Sequence, residues 1–176
     1  FFFSKPADAV VHAPASAANA VTVAYPPRTS DLHHEIELVV AIGQGGSNIP
    51  AAEVQEHVFG FAVGLDLTRR DLQFDAREHG RPWDVAKGFD CSAPVSAIRP
   101  AADMGHPEQG AIWLEVNGET RQRANLSEMI WNVPEIIWQL SQQVKLAAGD
   151  IIMTGTPAGV SQLKPGDKLE CGVDGV

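Results

Sequence analysis

The chain lacks the features that mark several large protein classes. Its 176 residues include two cysteines, Cys91 and Cys171, too few for a disulfide-stapled secreted scaffold and without the paired spacing of a zinc site. No apolar run approaches the roughly 20 residues of a helical membrane span, so no membrane partner is expected. Positive charge is scarce: 13 Lys and Arg stand against 22 Asp and Glu, a net charge of −9. A binder of nucleic-acid phosphates needs a basic face, so that partner is not expected either. Repeats and low-complexity tracts are missing. What remains is a globular chain, 44% hydrophobic, of a length suited to one domain with a real core. Its sparse cysteine predicts a reducing, cytoplasmic setting.

The N-terminal Phe1-Phe2-Phe3 is a poor exposed terminus, because each ring has roughly 150–250 Å² to bury. It lacks the basic start and cleavage site of a secretory signal. We therefore expect residues to precede it in the whole protein.

Along the chain, residues 4–20 read as an Ala/Ser/Pro-rich surface loop. A short strand is predicted at Val21 to Tyr25, stopped by Pro26-Pro27. Leu32 to Ile42 is the longest strand signal, ended by the loop at Gly43 to Gly46. The Asn48/Pro50/Glu53 pattern predicts a helix to about His57. Val58 to Asp66 reads as a strand buried on both faces. Thr68 is placed to cap a helix stopping at Gly80. Strands are predicted at Pro94 to Ile98 and Ala111 to Val116, and Asn117-Gly118 is a strong hairpin turn. Ser127 and Pro134 punctuate a helical stretch to about Val144, with Ile136, Ile137, Leu140 and Val144 as its buried stripe. Short strands at Ile151 to Met153 and Leu169 to Val173 close the chain. Strands outnumber helices without alternating with them, which predicts an α+β, β-dominated fold.

The segment from Leu32 to Val40 is the most informative. Strand side chains alternate faces, so His33, Glu35, Glu37 and Val39 share one side. His34, Ile36, Leu38 and Val40 share the other, an apolar face fit for a core. Two carboxylates about 7 Å apart repel, and in so hydrophobic a strand they need a cation between them or a solvated edge. A lone Glu-x-Glu more often marks the solvated edge. Asp66, at the end of the apolar run Phe61 to Leu65, carries two readings: a helix N-cap, or a third carboxylate delivered to the same site. Three carboxylates would make an all-oxygen site for Mg²⁺, Mn²⁺ or Ca²⁺, with a His33–carboxylate transition-metal site as the competing reading.

Four blocks in order resemble the fumarylacetoacetate hydrolase family: His34 to Leu38, Gly64 to Gln73, Ala86 to Asp90 and Thr154 to Val160. The resemblance runs from Phe3-Ser4-Lys5-Pro6 to the last residue. Within the family it is strongest to the small bacterial acylpyruvate hydrolases of aromatic-ring breakdown. It implies a mixed β-sandwich roll of the family's C-terminal type, a single catalytic domain over residues 1–176 and a homodimer. It also implies one Mg²⁺ or Mn²⁺ held by Glu35, Glu37 and Asp66. The implied reaction is hydrolysis of a C–C bond in a small 2,4-dioxo acid, with fumarylpyruvate giving fumarate and pyruvate as the favoured case. Arg70 and Gln73, three apart on one helix face, can hold a carboxylate or dioxo group. Lys87 matches the family's active-site lysine and would add positive charge where negative charge develops. Gly155 and Thr156 lie in a loop whose N–H groups and hydroxyl can bind a substrate carboxylate.

The family's water-activating His–Glu pair precedes the Phe-Ser-Lys-Pro block and is not in this sequence. The chain is therefore expected to lack an N-terminal segment, and a final C-terminal strand as well. His33 and His34 are candidate bases by proximity alone. Oxaloacetate decarboxylation and keto–enol tautomerisation remain alternatives that need less water activation; a non-catalytic metal or 2-oxo-acid binding module is another. Arg69 reads as exposed, Trp113, Trp131 and Trp138 as core or dimer contacts, and His12, His57, His79 and His106 as surface. Cys91 shows no neighbouring base to make it a nucleophile.

Overall fold

The computed structural model describes residues 1–15 and 17–176. In chain order its strands and helices are β1 (Val10–His12), β2 (Leu32–His33), β3 (Ile36–Ile42), α1 (Val54–His57), β4 (Val58–Leu65), β5 (Thr68–Arg69), α2 (Arg70–Glu78) and α3 (Asp84–Lys87). There follow β6 (Ala93–Val95), β7 (Arg99–Pro100), α4 (Ala101–Met104), β8 (Ala111–Val116), β9 (Glu119–Asn125), α5 (Val133–Ser141), β10 (Ile151–Met153), β11 (Gln162–Leu163) and β12 (Leu169–Val173). The fold is α+β and rich in strands.

Among the described residues the strands form three sheets. The largest runs β1-β6-β4-β3-β10, with β7 also on β4; the smaller two run β11-β2-β5 and β12-β8-β9. β3 is central, antiparallel to β4 on one side and to β10 on the other. Its two faces meet different surroundings. Ile36, Leu38, Val40 and Ile42 enter the main core with Ile112, Leu114 and Val116 of β8, so two sheets close on one another as a sandwich. Val39 on the opposite face joins a smaller cluster with Ala62 and Val95. All seven residues of β3 are buried, so the solvated-edge reading of Glu-x-Glu fails.

The helices close the sandwich. α5 begins at Asn132, whose side chain accepts a hydrogen bond from the Glu135 N–H while the Glu135 carboxylate accepts from the Asn132 N–H. That reciprocal cap, with Pro134 in the first turn, starts the helix later than Ser127 predicts. Ile136 and Ile137 are buried, whereas Val144 lies beyond the helix end and is exposed. The Asn117-Gly118 turn joins β8 to β9 with φ of 54° and 79°, the left-handed pair that a two-residue hairpin requires.

Several local expectations give way to tertiary pairing. Residues 4–20 are not all loop, because Val10–His12 pairs in parallel with β6; Ser16 of that stretch lies outside the described residues. Val21 to Tyr25 forms no strand, and the Tyr25 hydroxyl instead accepts from the Leu32 N–H. The long 32–42 strand breaks at His34-Glu35 into β2 and β3, which join different sheets. Asn48 has φ of 54°, outside the right-handed helical region, and α1 begins only at Val54. Phe59 leaves β4 exposed on that side, and the strand expected over 94–98 ends at Val95 in β6, with β7 starting only at Arg99. Thr68 sits in β5 rather than capping α2.

The loop after β10 is held where it passes β9. Gly159 has φ of 103°, and a Cβ there would fall on the backbone carbonyl oxygen of Arg121. Gly118 has positive φ but open space around it. Gly118→Ala is therefore expected to cost about 1 kcal/mol from backbone strain alone. Gly159→Ala should cost clearly more. Urea unfolding of the two variants checks this, and equal losses would contradict the close approach at Arg121.

Candidate metal and substrate site

The strand period brings Glu35 and Glu37 to the same side where β3 begins, and β4 ends beside them. The Asp66 N–H donates to the Glu35 carbonyl at 2.8 Å, so the chain turning out of β4 carries the third carboxylate to the first two. One oxygen from each of Glu35, Glu37 and Asp66 lies within 4.8 Å of the others, and all three residues are buried. Asp66 is thus not a helix cap. Burying three carboxylates together is costly unless cations and donors compensate them.

Lys87 supplies the main compensation. At 1% exposure, its ammonium donates to Glu35 Oε2 at 2.8 Å, Asp66 Oδ2 at 2.6 Å and Thr68 Oγ1 at 2.6 Å. All three of its protons are used. Arg70, at the start of α2, donates from Nη2 to Glu35 Oε1 at 2.7 Å and from Nη1 to Gln73 Oε1. Lys5 is a third cation. It donates to the carbonyls of Leu67 and Lys87, and its Nζ lies 2.8 Å from Asp66 Oδ1.

The carboxylates are unequally served. Burial raises Glu35, but Lys87 and Arg70 outweigh it and hold the group below the ordinary glutamate range. Burial raises Asp66 despite Lys5 and Lys87. Among the described residues Glu37 has no cation in contact; it accepts the Gly155 N–H at 2.6 Å, and burial together with Asp66 pushes its pKa to about 8. Asp66 Oδ1 also lacks a hydrogen-bond partner, since Lys5 approaches it without hydrogen-bonding geometry. An uncompensated carboxylate within an all-oxygen donor set fits a hard divalent cation such as Mg²⁺ or Mn²⁺.

The cluster opens on a cleft of about 340 Å³, within the range of small-molecule sites. Glu35, Glu37, Arg70, Gln73, Lys87, Gly155 and Thr156 all line it, together with Phe3, Phe74, Arg77 and Trp83. Asp66 is buried behind them. All eight residues singled out from the sequence therefore gather at one place. Gly155 has φ of 99°, which turns its N–H toward Glu37.

Sequence reasoning left four contributors unassigned or misassigned. Thr68 was expected as a cap, the ordinary role of a threonine two residues before a helix; its hydroxyl instead receives Lys87. Lys5 gave only the weak signal of a lysine between an aromatic run and a proline. Gln122 is the buried position in the otherwise polar strand β9. It donates to Thr156 Oγ1 and the Pro157 carbonyl, both at 2.8 Å, and so anchors the Thr156 loop. His34 holds Gln122 in turn, its two ring nitrogens meeting Gln122 Oε1 at 2.8 Å and Ser161 Oγ at 2.9 Å. His34 is thus a buried brace on the core side, away from the cleft.

The other residues fall out as follows. His33 pairs with Asp31 and touches Arg70 without lining the cleft. Arg69 stacks on Phe89. His57 is buried, with Nδ1 on the Gln44 carbonyl, which corrects its expected surface position. His106 is half-buried against Phe61. Trp131 and Trp138 are exposed rather than core. Cys91 does not line the cleft.

The chain is similar to several known proteins. The family described as fumarylacetoacetate (FAA) hydrolase C-terminal matches residues 1–176. Fumarylpyruvate hydrolase of Ralstonia sp is 47% identical over 176 residues, covering 100% of this chain and 88% of that protein. The mitochondrial oxaloacetate tautomerase FAHD1 of Mus musculus is 44% identical over 154 residues, covering 88% of this chain and 70% of that protein. The crystal structure of fumarylpyruvate hydrolase from Pseudomonas aeruginosa, in complex with Mn²⁺ and pyruvate, is similar with a TM-score of 0.97 at 49% identity. It covers 100% of this chain and 75% of that one. The chain belongs to the fumarylacetoacetate hydrolase family.

Proposed function

We propose that this protein hydrolyses a C–C bond in a small 2,4-dioxo acid, with fumarylpyruvate, cleaved to fumarate and pyruvate, as the favoured substrate. Glu35, Glu37 and Asp66 would hold one Mg²⁺ or Mn²⁺. The observation that carries the reading is the convergence of three buried carboxylates, Glu37 among them without a cation in contact, on a cleft walled by Arg70, Gln73, Lys87 and the Gly155-Thr156 loop. The relatives named for fumarylpyruvate hydrolysis support the same substrate.

A bound divalent cation supplies Lewis acidity toward the oxo oxygens of a dioxo acid. Arg70 and Gln73 orient the substrate through its carboxylate or dioxo group, two planar donors already tied to one another. Lys87 places a fixed positive charge beside the reacting end, where negative charge grows as the C–C bond breaks. Thr156 is held by Gln122, so its hydroxyl meets a substrate carboxylate with little reorganisation. Trp83 and Phe3 reduce water access on the open side. His34 is fully engaged, which speaks against it as a local base.

The tautomerase relative favours a second reading, keto–enol conversion of oxaloacetate at the same carboxylates and cations. The wider setting we infer is a cytoplasmic homodimer serving aromatic-ring breakdown. Both cysteines are free, in keeping with a reducing compartment, and no helix among the described residues is long and apolar enough to cross a membrane. Ile130, Trp131 and Trp138 leave apolar surface around α5 that a second copy would cover. Light scattering should then give about twice the chain mass of 18.8 kDa.

The deciding assay follows pyruvate release from fumarylpyruvate, acetylpyruvate and oxaloacetate, with and without Mg²⁺ or Mn²⁺. Fumarylpyruvate should release pyruvate, lose that activity in EDTA and regain it when either ion returns. Isomerisation of enol-oxaloacetate without pyruvate from any dioxo acid would favour the tautomerase instead. Glu37→Gln should remove Mn²⁺ binding measured by calorimetry, and Asp66→Asn should do the same. Lys87→Met separates two roles. Its kcat should fall by about 10²–10³, the loss typical of one preorganised donor at developing charge. Its Mn²⁺ affinity should rise, because the ammonium no longer competes for Glu35 and Asp66. Weaker Mn²⁺ binding in that variant would contradict this division of labour.

A further inference from the structure

Helix α2 carries a second cation that the carboxylate cluster does not use. Arg70, Gln73, Phe74 and Arg77 follow the i, i+3, i+4, i+7 spacing of one helix face, and all four line the cleft. Arg70 and Gln73 are tied into the site through Glu35. Arg77 lies seven residues on, about 10 Å along the axis at 1.5 Å per residue. Its side chain makes no salt bridge and no hydrogen bond among the described residues. The nearby acids are otherwise disposed: Asp75 pairs with His79 and Arg81, and Asp71 is bonded by Thr29 and Ser30. Between the Arg70–Gln73 pair and Arg77 the helix presents Phe74 to the cleft. Phe74 is 52% exposed, so core packing does not account for it, and Trp83 stands on the same cleft.

A cation at each end and aromatic surface between them match a ligand with anionic ends and a flat, apolar middle. We infer that Arg77 reads a carboxylate at the far end of the acyl group, so the site selects acylpyruvates whose acyl part is itself derived from a dicarboxylic acid. The inference rests on the acylpyruvate reading above and names the feature that distinguishes substrates within it. In a seven-carbon dioxo diacid the carboxyl carbons are six bonds apart, about 7–8 Å in an extended zigzag that advances about 1.3 Å per bond. With one end at Arg70 and Gln73, the other comes within reach of the flexible Arg77 side chain. Held by its oxo-acid end at Arg70 and Gln73, acetylpyruvate or oxaloacetate is too short to reach it, whereas free fumarate, the acyl fragment itself, need span only the half of the cleft between the metal-binding carboxylates and Arg77. Phe74 and Trp83 then flank the intervening carbons, where a planar double bond fits best against aromatic surface.

The test compares fumarate with crotonate, which keeps the double bond and one carboxylate but ends in a methyl group. Binding of each to the Mn²⁺-supplied protein is measured by titration calorimetry, for wild type, Arg77→Ala and Arg77→Lys. Wild type should bind fumarate about tenfold more tightly than crotonate, the factor that one charge-assisted hydrogen bond supplies. Arg77→Ala should bring the ratio near one, and Arg77→Lys should restore part of it. Arg77 is exposed, so all three proteins should unfold at similar temperatures. Equal affinities in wild type, no measurable fumarate binding, or a preference that survives Arg77→Ala would overturn the inference. Pyruvate release from fumarylpyruvate is a separate measurement. Its absence beside an Arg77-dependent fumarate preference sinks the hydrolase reading and leaves the carboxylate reader standing. Its presence without any Arg77 dependence does the reverse.

Discussion

The buried ammonium of Lys87 is the contact on which the site depends. It ties Glu35 from the start of β3, Asp66 from the turn after β4 and Thr68 from β5 to the end of α3. Those groups come from four separate elements, so one charged contact joins two sheets and a helix. Each partner alone would be costly at its burial. An unpaired carboxylate or ammonium in such surroundings would shift its proton equilibrium or let water in, whereas the mutual set satisfies itself. Lys5 extends the arrangement by donating to the carbonyls of Leu67 and Lys87, and so fixes the backbone on either side of the cluster. The compensation stops short of Glu37. The strands therefore hold a place where added positive charge is favourable while the fold stands without it.

Much of this was legible in residues 32–73. The period of two put Glu35 and Glu37 on one face, and the period of 3.6 put Arg70 and Gln73 on one face. Both follow from local geometry and survive folding. Whether the carboxylates are wet or buried was not legible. That depends on β10 pairing with β3 from more than a hundred residues away and on β4 covering the other edge. A pattern of alternating residues reads the same in an edge strand and in a central one.

The misreadings have related causes. Thr68 has the chemistry of a helix cap, but a buried lysine offered its hydroxyl a stronger partner than the backbone N–H groups of α2. Asn48 and Pro50 look like a helix start, yet the Asn48 N–H bonds the Ser141 carbonyl and its backbone takes the left-handed conformation. Val21 to Tyr25 has strand composition without a strand to pair with, and composition cannot supply a partner. His34 illustrates the opposite case. His34 falls on the face that is otherwise apolar in 32–40, and that conflict with the pattern signals a buried polar partner, whereas Gln122, in an otherwise polar strand, carries no such signal.

The division between sheet and helix also explains how a chain of net charge −9 can favour an acidic ligand. Bulk charge acts at long range and is screened by salt, whereas under the proposed function Arg70 and Lys87 would act at short range within the cleft. The carboxylates sit on strand ends whose register is set by the core, so they move little. Two of the cations that line the cleft sit on α2, a nine-residue helix packed with only Gln73 and Ala76 fully buried. Residues on the exposed face of such a helix can change without disturbing the core, but residues of β3 cannot. Variation in ligand length and charge should therefore be written along α2 beyond Gln73, while the carboxylate floor remains the same for every ligand the cleft accepts.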